Sequence, residues 1–173
     1  MAWRGPKATG ALMQLFNQTL WPELDILLID MPPGTGDIQL TLAQRIPVTG
    51  SVIVTTPQNI ALLDAVKGIE LFKKVNIPVL GVVENMSIHI CSNCGVEEHI
   101  FGTGGGNQIS EEHKIPLLGH LPLSQVIQKN TDNGYPSVLA EDTAASHYVN
   151  IAVALLKEIE KCPKAERDQN RIF

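Results

Sequence analysis

Short apolar runs alternate with helical patterns along the chain, and together they predict an α/β fold. Nearly continuous apolar runs are typical of strands in a parallel sheet, and they span residues 24–29, 51–56, 79–84 and 117–121. Apolar residues spaced three and four positions apart predict helices at residues 12–20, 38–45, 60–75, 107–113, 124–129 and 143–159. Strands that alternate with helices predict one domain, with right-handed crossovers between parallel strands.

Some segments fall outside this pattern. Residues 1–10 show no clear period and predict irregular structure, and residues 86–103 predict a small excursion from the sheet. The run Gly102-Thr103-Gly104-Gly105-Gly106 follows no strand and has no Lys-Ser/Thr, so it lacks the context of a phosphate-binding loop and predicts a flexible connector. The domain is therefore expected to occupy residues 1–160, followed by a charged tail at 161–173 that contains Pro163 and is expected to be disordered.

The first apolar run ends in a stretch that suggests a nucleotide site. Asp30 closes the run, and Met31-Pro32-Pro33-Gly34-Thr35-Gly36-Asp37 follows. A carboxylate at the end of a strand in an α/β sheet can hold Mg²⁺ beside nucleotide phosphates, which is the Walker B arrangement. The backbone N–H of Gly34 could then contact a γ-phosphate, so that the loop moves when this phosphate leaves. An ordinary turn after a polar strand end explains the same residues.

A second stretch, Cys91-Ser92-Asn93-Cys94-Gly95, carries metal-binding chemistry. Two thiolates at this spacing can bind one metal, but iron–sulfur and zinc sites usually need four ligands. Two copies of the chain would supply four thiolates across a twofold axis. Three alternatives remain open: a zinc site completed by His89 or His99 within one chain, a thioredoxin-like redox pair, or two inert cysteines.

Residues 30–37 resemble the switch II signature of the Mrp/ApbC class of deviant P-loop ATPases, which carry iron–sulfur clusters. The resemblance extends from Trp3 to about Ile159 and includes further motifs in the same order. These motifs are Thr56-Pro57-Gln58, Glu84-Asn85-Met86-Ser87, Cys91-Ser92-Asn93-Cys94-Gly95, Ile100-Phe101-Gly102 and Gly119-His120-Leu121-Pro122-Leu123. Family members open with a glycine-rich P-loop that ends in Gly-Lys-Ser/Thr, and nothing in this sequence matches it.

The resemblance implies a Rossmann-like parallel sheet of the P-loop NTPase type, incomplete at its N-terminal side, with a small excursion that bears the CxxC motif. It also implies an ATP site with Mg²⁺, in which Asp30 is the Walker B carboxylate and Gly34 faces the γ-phosphate, both as catalytic residues. Pro33 would bind the nucleotide beside them. Asn85 would hold the adenine base, since its amide has both a donor and an acceptor, and Pro122 would line the same pocket. Without the family argument, Asn85 equally fits a residue that satisfies a local turn.

The resemblance implies that Cys91 and Cys94 bind a [4Fe–4S] cluster that bridges a homodimer. The function it implies is cluster binding and transfer to apo iron–sulfur proteins by an ATP-binding carrier. A second hypothesis is a partition-type ATPase or scaffold in which the cysteine pair binds zinc structurally. Because the P-loop normally supplies catalytic groups and a central strand, we expect negligible ATP hydrolysis by this chain alone, an exposed apolar sheet edge and self-association.

Charge and composition exclude some classes of partner. Thirteen basic and eighteen acidic residues give a formal net charge of −5, which argues against nucleic-acid binding through phosphate neutralisation. No apolar run is long enough to cross a bilayer, and the N-terminus lacks the apolar segment of a signal peptide. Three cysteines do not form a disulfide framework. We therefore expect a cytoplasmic protein with no membrane partner.

Overall fold

The computed structural model describes residues 5–31, 36–91, 93–140 and 143–163. Helices and strands are mixed along the described chain. They are α1 (Gly5–Gln18), α2 (Asp37–Arg45), β1 (Ser51–Thr55), α3 (Asn59–Lys74), β2 (Val79–Glu84), β3 (His89–Ile90), β4 (Glu97–Glu98), α4 (Gly105–His113), β5 (Leu117–His120), α5 (Gln125–Asp132), a short 3₁₀ helix (Ser137–Leu139) and α6 (Thr143–Glu160). Among the helices described, none combines the length and apolar character needed to cross a bilayer.

Three of the predicted strands form a parallel sheet in the order β1–β2–β5. The central strand β2 pairs with β1 on one side and with β5 on the other, and all but its first residue is buried. This burial explains why β2 is almost entirely apolar in sequence, as the pattern predicted. The antiparallel pair β3–β4 is separate from the sheet and forms the predicted excursion.

The core lies between the sheet and the helices α3 and α4. Its buried side chains interlock from β1, β2 and both helices, and they are Ile53, Leu62, Ala65, Ile69, Val82 and Ile109. Helix α6 packs along β5 and β2, where Gly119 lies directly against Ile151. Helix α1 begins at Gly5, earlier than predicted, because the proline at position 6 is tolerated in the first turn of a helix.

The predicted strand at residues 24–29 is wrong. This segment forms neither helix nor strand, and its apolar side chains are exposed. Segments 25–29 and 50–52 both line a cavity of about 330 Å³ instead of pairing with each other. A strand needs a hydrogen-bonding neighbour, and in the described part of the chain no strand lies beside β1 on its outer edge. In the described sheet β1 is therefore an edge strand, and the exposed apolar side chains near it belong to Val54 and to segment 24–29.

Gly81 in β2 is required by close packing rather than by a turn. A Cβ at this position would lie 2.6 Å from Leu118 Cγ and 2.7 Å from the backbone oxygen of Pro116. That oxygen accepts a hydrogen bond from Val82 N–H at 2.9 Å, so the two backbones cannot separate without breaking a sheet contact. The absence of a side chain at Gly81 therefore allows β2 and β5 to pair.

We expect Gly81→Ala to lower the free energy of unfolding by about 1–3 kcal/mol, because the added methyl group overpacks the strand pair. Gly10→Ala is the matched control, since a Cβ at Gly10 in α1 meets no atom within 4 Å. The control should be neutral or stabilising by up to about 1 kcal/mol, because alanine favours a helix over glycine. Urea unfolding followed by circular dichroism measures both, and equal midpoints would contradict the packing argument.

Candidate functional site

The carboxyl ends of the three parallel strands meet at one edge of the sheet. Asn85 N–H donates to Thr55 O at 2.7 Å, and Leu121 N–H donates to Glu84 O at 2.9 Å. The residues that follow β1, β2 and β5 are therefore neighbours, and Asn85 lies beside the segment that contains Pro122. Ligands of open α/β sheets bind in the crevice outside this edge. The structure thus brings together two of the residues that the sequence singled out for nucleotide binding.

The side chain of Asn85 is engaged in a local turn. Its Oδ1 accepts a hydrogen bond from Met86 N–H at 2.9 Å, and Met86 has a positive φ of 55°. This contact is the turn that the sequence allowed as the alternative to base recognition. The role of Asn85 in holding adenine therefore stays a prediction.

Asp30 is not placed at a strand end. It is exposed and belongs to the segment that has no strand partner in the described part of the chain. Pro33 and Gly34 lie outside the described residues, together with Pro32 and Thr35. Among the described residues, Asn85 and Pro122 thus follow strands of the sheet and Asp30 does not.

The cysteine pair lies in the tight loop of the β3–β4 hairpin. Cys91 N–H donates to Val96 O at 3.0 Å, and Gly95 N–H donates back to Cys91 O at 2.9 Å. Gly95 has a φ of 72°, which glycine adopts without the strain that a Cβ would introduce. Cys91 is half-buried and Cys94 is exposed, and neither forms a disulfide. The loop therefore presents the pair at the surface.

The local backbone favours the thiolate form of Cys91. Hydrogen bonds from the backbone of Asn93 and then of Cys94 lower the pKa of the Cys91 thiol below its ordinary value, with a smaller contribution from the Cys94 side chain. Partial desolvation and the charge of Glu98 oppose this shift of the pKa without reversing it. Since the thiolate is the form that binds metals, the loop is suited to a soft metal or an iron–sulfur cluster.

The two nearby histidines do not complete a metal site. His89 Nδ1 lies 3.1 Å from Leu123 O, and His99 Nδ1 lies 3.0 Å from Ser87 O, so each ring contacts backbone at the base of the hairpin. Within the described residues, no three His, Cys, Asp or Glu side chains come together in a way that could hold a metal ion. The interpretation of a zinc site within one chain thus finds no third ligand here.

The family described as NUBPL iron-transfer P-loop NTPase matches residues 1–157 of the chain. The chain belongs to this family. The match confirms the resemblance to the Mrp/ApbC ATPases that the sequence motifs carry.

The relatives of this NUBPL-family chain support the same assignment. It is 60% identical over 155 residues to the iron-sulfur cluster carrier protein of Pseudomonas fragi, a match that covers 88% of this chain and 54% of that protein. The ADP complex of a nucleotide-binding protein from Archaeoglobus fulgidus is similar with a TM-score of 0.66 and 37% identity, covering 73% of this chain and 52% of that one. The cell division ATPase MinD of Pyrococcus furiosus is similar with a TM-score of 0.59 and 25% identity, covering 90% and 57%.

These neighbours confirm the predicted fold class, a parallel α/β sheet of the P-loop NTPase type. The chain spans about half the length of the relatives it matches.

At the edge of the sheet where the strands end, the sequence analysis of this NUBPL-family chain did not single out one residue, Glu84. Glu84 closes β2 and is only 2% exposed, although it is an acidic residue. The pattern that singled out Asp30, a carboxylate at the end of an apolar run, is also present here. An acidic residue at the end of an apolar run therefore indicated Glu84 in the sequence, but the predicted functional role was assigned to its neighbour Asn85.

Proposed function

We propose that this chain is the cluster-binding part of an ATP-binding carrier that holds a [4Fe–4S] cluster and passes it to apo iron–sulfur proteins in the cytoplasm. The observation that carries the proposal is the surface loop that presents Cys91 and Cys94, with a lowered pKa at Cys91. The family description and the printed name of the Pseudomonas fragi relative support it. The cluster is the cargo of the carrier, and thiolates are the ligands that such clusters take.

The count of ligands supports a cluster that bridges two subunits of a homodimer. A [4Fe–4S] cluster takes four thiolates, and one loop supplies two. The hairpin also exposes apolar side chains next to the cysteines, namely those of Ile90, Val96 and Ile100. In a twofold dimer these side chains would be covered at the same time as the two loops share the cluster.

The nucleotide half of the proposal rests on the strand-end edge and on the family. ATP with Mg²⁺ would contact Asp30, Pro33 and Gly34 at the phosphates, and Asn85 and Pro122 at the base. The similarity to an ADP-bound nucleotide-binding protein supports this part. Nucleotide state would then alter the dimer and the exposure of the cluster.

The test of the proposal is the metal content of the chain after anaerobic reconstitution, with the molecular mass measured on the same sample. About four irons and four sulfides per dimer would support the bridging cluster. One zinc per monomer without a dimer would contradict it and favour a partition-type ATPase or scaffold with a structural zinc site. The relatives named as cluster carriers favour the first outcome.

ATP hydrolysis by the 173-residue chain alone is expected to be negligible. The sequence has no Gly-Lys-Ser/Thr loop to cradle the phosphates, and Asp30 lies on a segment that pairs with no strand in the described part of the chain. Phosphate release should therefore be the same for the wild type, for Asp30→Ala and for Asp25→Ala, the last being the control on the same segment. A substantial turnover that Asp30→Ala abolishes and Asp25→Ala preserves would contradict this expectation.

A further inference from the structure

The two ends of the cysteine-bearing excursion meet at the side chain of Glu84. Residues 85–104 leave the sheet after Glu84 and return at the start of α4. The Oε2 atom of Glu84 accepts a hydrogen bond from Gly106 N–H in the first turn of that helix at 2.5 Å. Its Oε1 atom lies 3.2 Å from Nδ1 of His120, the last residue of β5. One buried carboxylate therefore joins the returning end of the excursion to two strands of the sheet.

We propose that Glu84 is a positioning residue that fixes the cysteine hairpin to the sheet edge that carries Asn85. What the hairpin and the sheet edge bind is taken from the proposed function, whereas the contact between Glu84 and Gly106 is independent of it. Through Glu84, a displacement of the strand ends would be transmitted to the base of the hairpin. The residue would therefore set the orientation in which Cys91 and Cys94 are presented.

The surroundings of Glu84 explain how its buried carboxyl group finds hydrogen-bonding partners. Burial of an unpaired carboxylate is strongly unfavourable, so the group needs hydrogen bonds or opposite charge. The amino-terminal end of α4 supplies both a backbone N–H and the positive end of the helix dipole. His120 supplies a third contact from a partly exposed position.

The glycines that begin α4 pack closely against their neighbours and do not form the flexible connector that the sequence predicted. A Cβ at Gly106 would lie 3.0 Å from Glu84 Cβ and 3.1 Å from its Oε2. A Cβ at Gly105 would lie 2.8 Å from Leu62 Cδ1 and 3.1 Å from Pro57 Cα. Both glycines are buried and belong to α4. Their missing side chains allow the helix terminus to approach the carboxylate.

Other hydrogen bonds hold the outgoing arm of the hairpin, whereas the returning arm is joined to the sheet by the Glu84 hydrogen bond and is packed, through Gly105, against Leu62 and Pro57. Ser87 N–H donates to Leu121 O at 3.0 Å, and Leu123 N–H donates to Ile88 O at 2.8 Å, so residues 87–88 are tied to the segment after β5. The returning arm contacts the outgoing arm through His99 and the sheet through Glu84. Loss of the Glu84 carboxylate should therefore loosen one side of the hairpin.

Hydrogen exchange followed by mass spectrometry on the metal-free chain tests this proposal. In Glu84→Ala, amide exchange over residues 86–106 should rise about tenfold, because the Gly106 hydrogen bond is lost, while exchange over α6 should not change. Glu84→Gln retains an oxygen acceptor for Gly106 N–H and should restore much of the protection. Glu111→Ala, an exposed acidic residue of α4, is the control and should behave as the wild type.

Three outcomes decide the proposal. Exchange that rises only in the hairpin, with less iron bound after reconstitution of Glu84→Ala, supports it. The same local rise in a protein whose wild type binds no iron supports the positioning role and contradicts the proposed function instead. Exchange that rises equally in α6, or no rise in the hairpin, would overturn the proposal, because Glu84 would then serve general stability or nothing measurable.

Discussion

Replacement of Cys91 or Cys94 by alanine is expected to remove nearly all the iron that the wild-type chain binds after anaerobic reconstitution. A bridging [4Fe–4S] cluster takes two thiolates from each chain, so either variant leaves a dimer with two of four ligands. The described residues bring no third ligand to the loop to compensate. Iron should fall from about four per dimer to below about one, and the absorbance of the cluster should disappear with it.

The chain contains its own control for this experiment. Cys162 follows α6, and its Sγ lies 3.5 Å from Glu158 O, so it belongs to a different part of the fold from the hairpin. Cys162→Ala should keep the iron content and the dimer mass of the wild type. A loss of iron in Cys162→Ala, or full iron content in Cys94→Ala, would place the ligands elsewhere and refute the arrangement proposed here.

The sheet strands were predictable where the local pattern and the tertiary environment agree. β1 and β2 pair with neighbouring strands and pack against helices, and their sequences are apolar because these strands are buried. The run at 24–29 carries the same local signal, yet it forms no strand. Strand formation depends on a neighbour in space, and a local pattern cannot show whether that neighbour is present. The prediction for this segment failed for that reason.

The candidate site was predictable to a similar extent. The cysteine loop depends on spacing and on one glycine with a positive φ, both of which are local features, and the structure shows the predicted excursion. The contact between Glu84 and Gly106 joins residues 22 positions apart. In the sequence, a glycine such as Gly106 predicts a flexible segment. In the structure, its missing side chain lets the start of α4 approach Glu84 closely. Only the packed structure distinguishes these two uses of glycine.

The open edge of β1 predicts that the metal-free chain self-associates. Leu28 is 81% exposed and Val54 is 62% exposed, and Ile26, Leu27 and Ile29 add further apolar surface in the same segment as Leu28. An unpaired edge strand beside exposed apolar residues is a template for association with another chain. Sedimentation velocity on the reduced, metal-free chain should therefore show an average mass that rises above that of the monomer with concentration.

A charged side chain in segment 24–29 should weaken this self-association. Full burial of a leucine side chain contributes about 1.5–3 kcal/mol, so Leu28→Lys should weaken association by about tenfold or more. Leu139→Lys is the matched control, because Leu139 is 63% exposed but lies in the 3₁₀ helix rather than in segment 24–29. A monomeric wild type at every concentration, or equal effects of both substitutions, would contradict this assignment. Because metal and cluster are absent, association under these conditions reports on the sheet edge and leaves the cysteine-bridged dimer as a separate, cluster-dependent event.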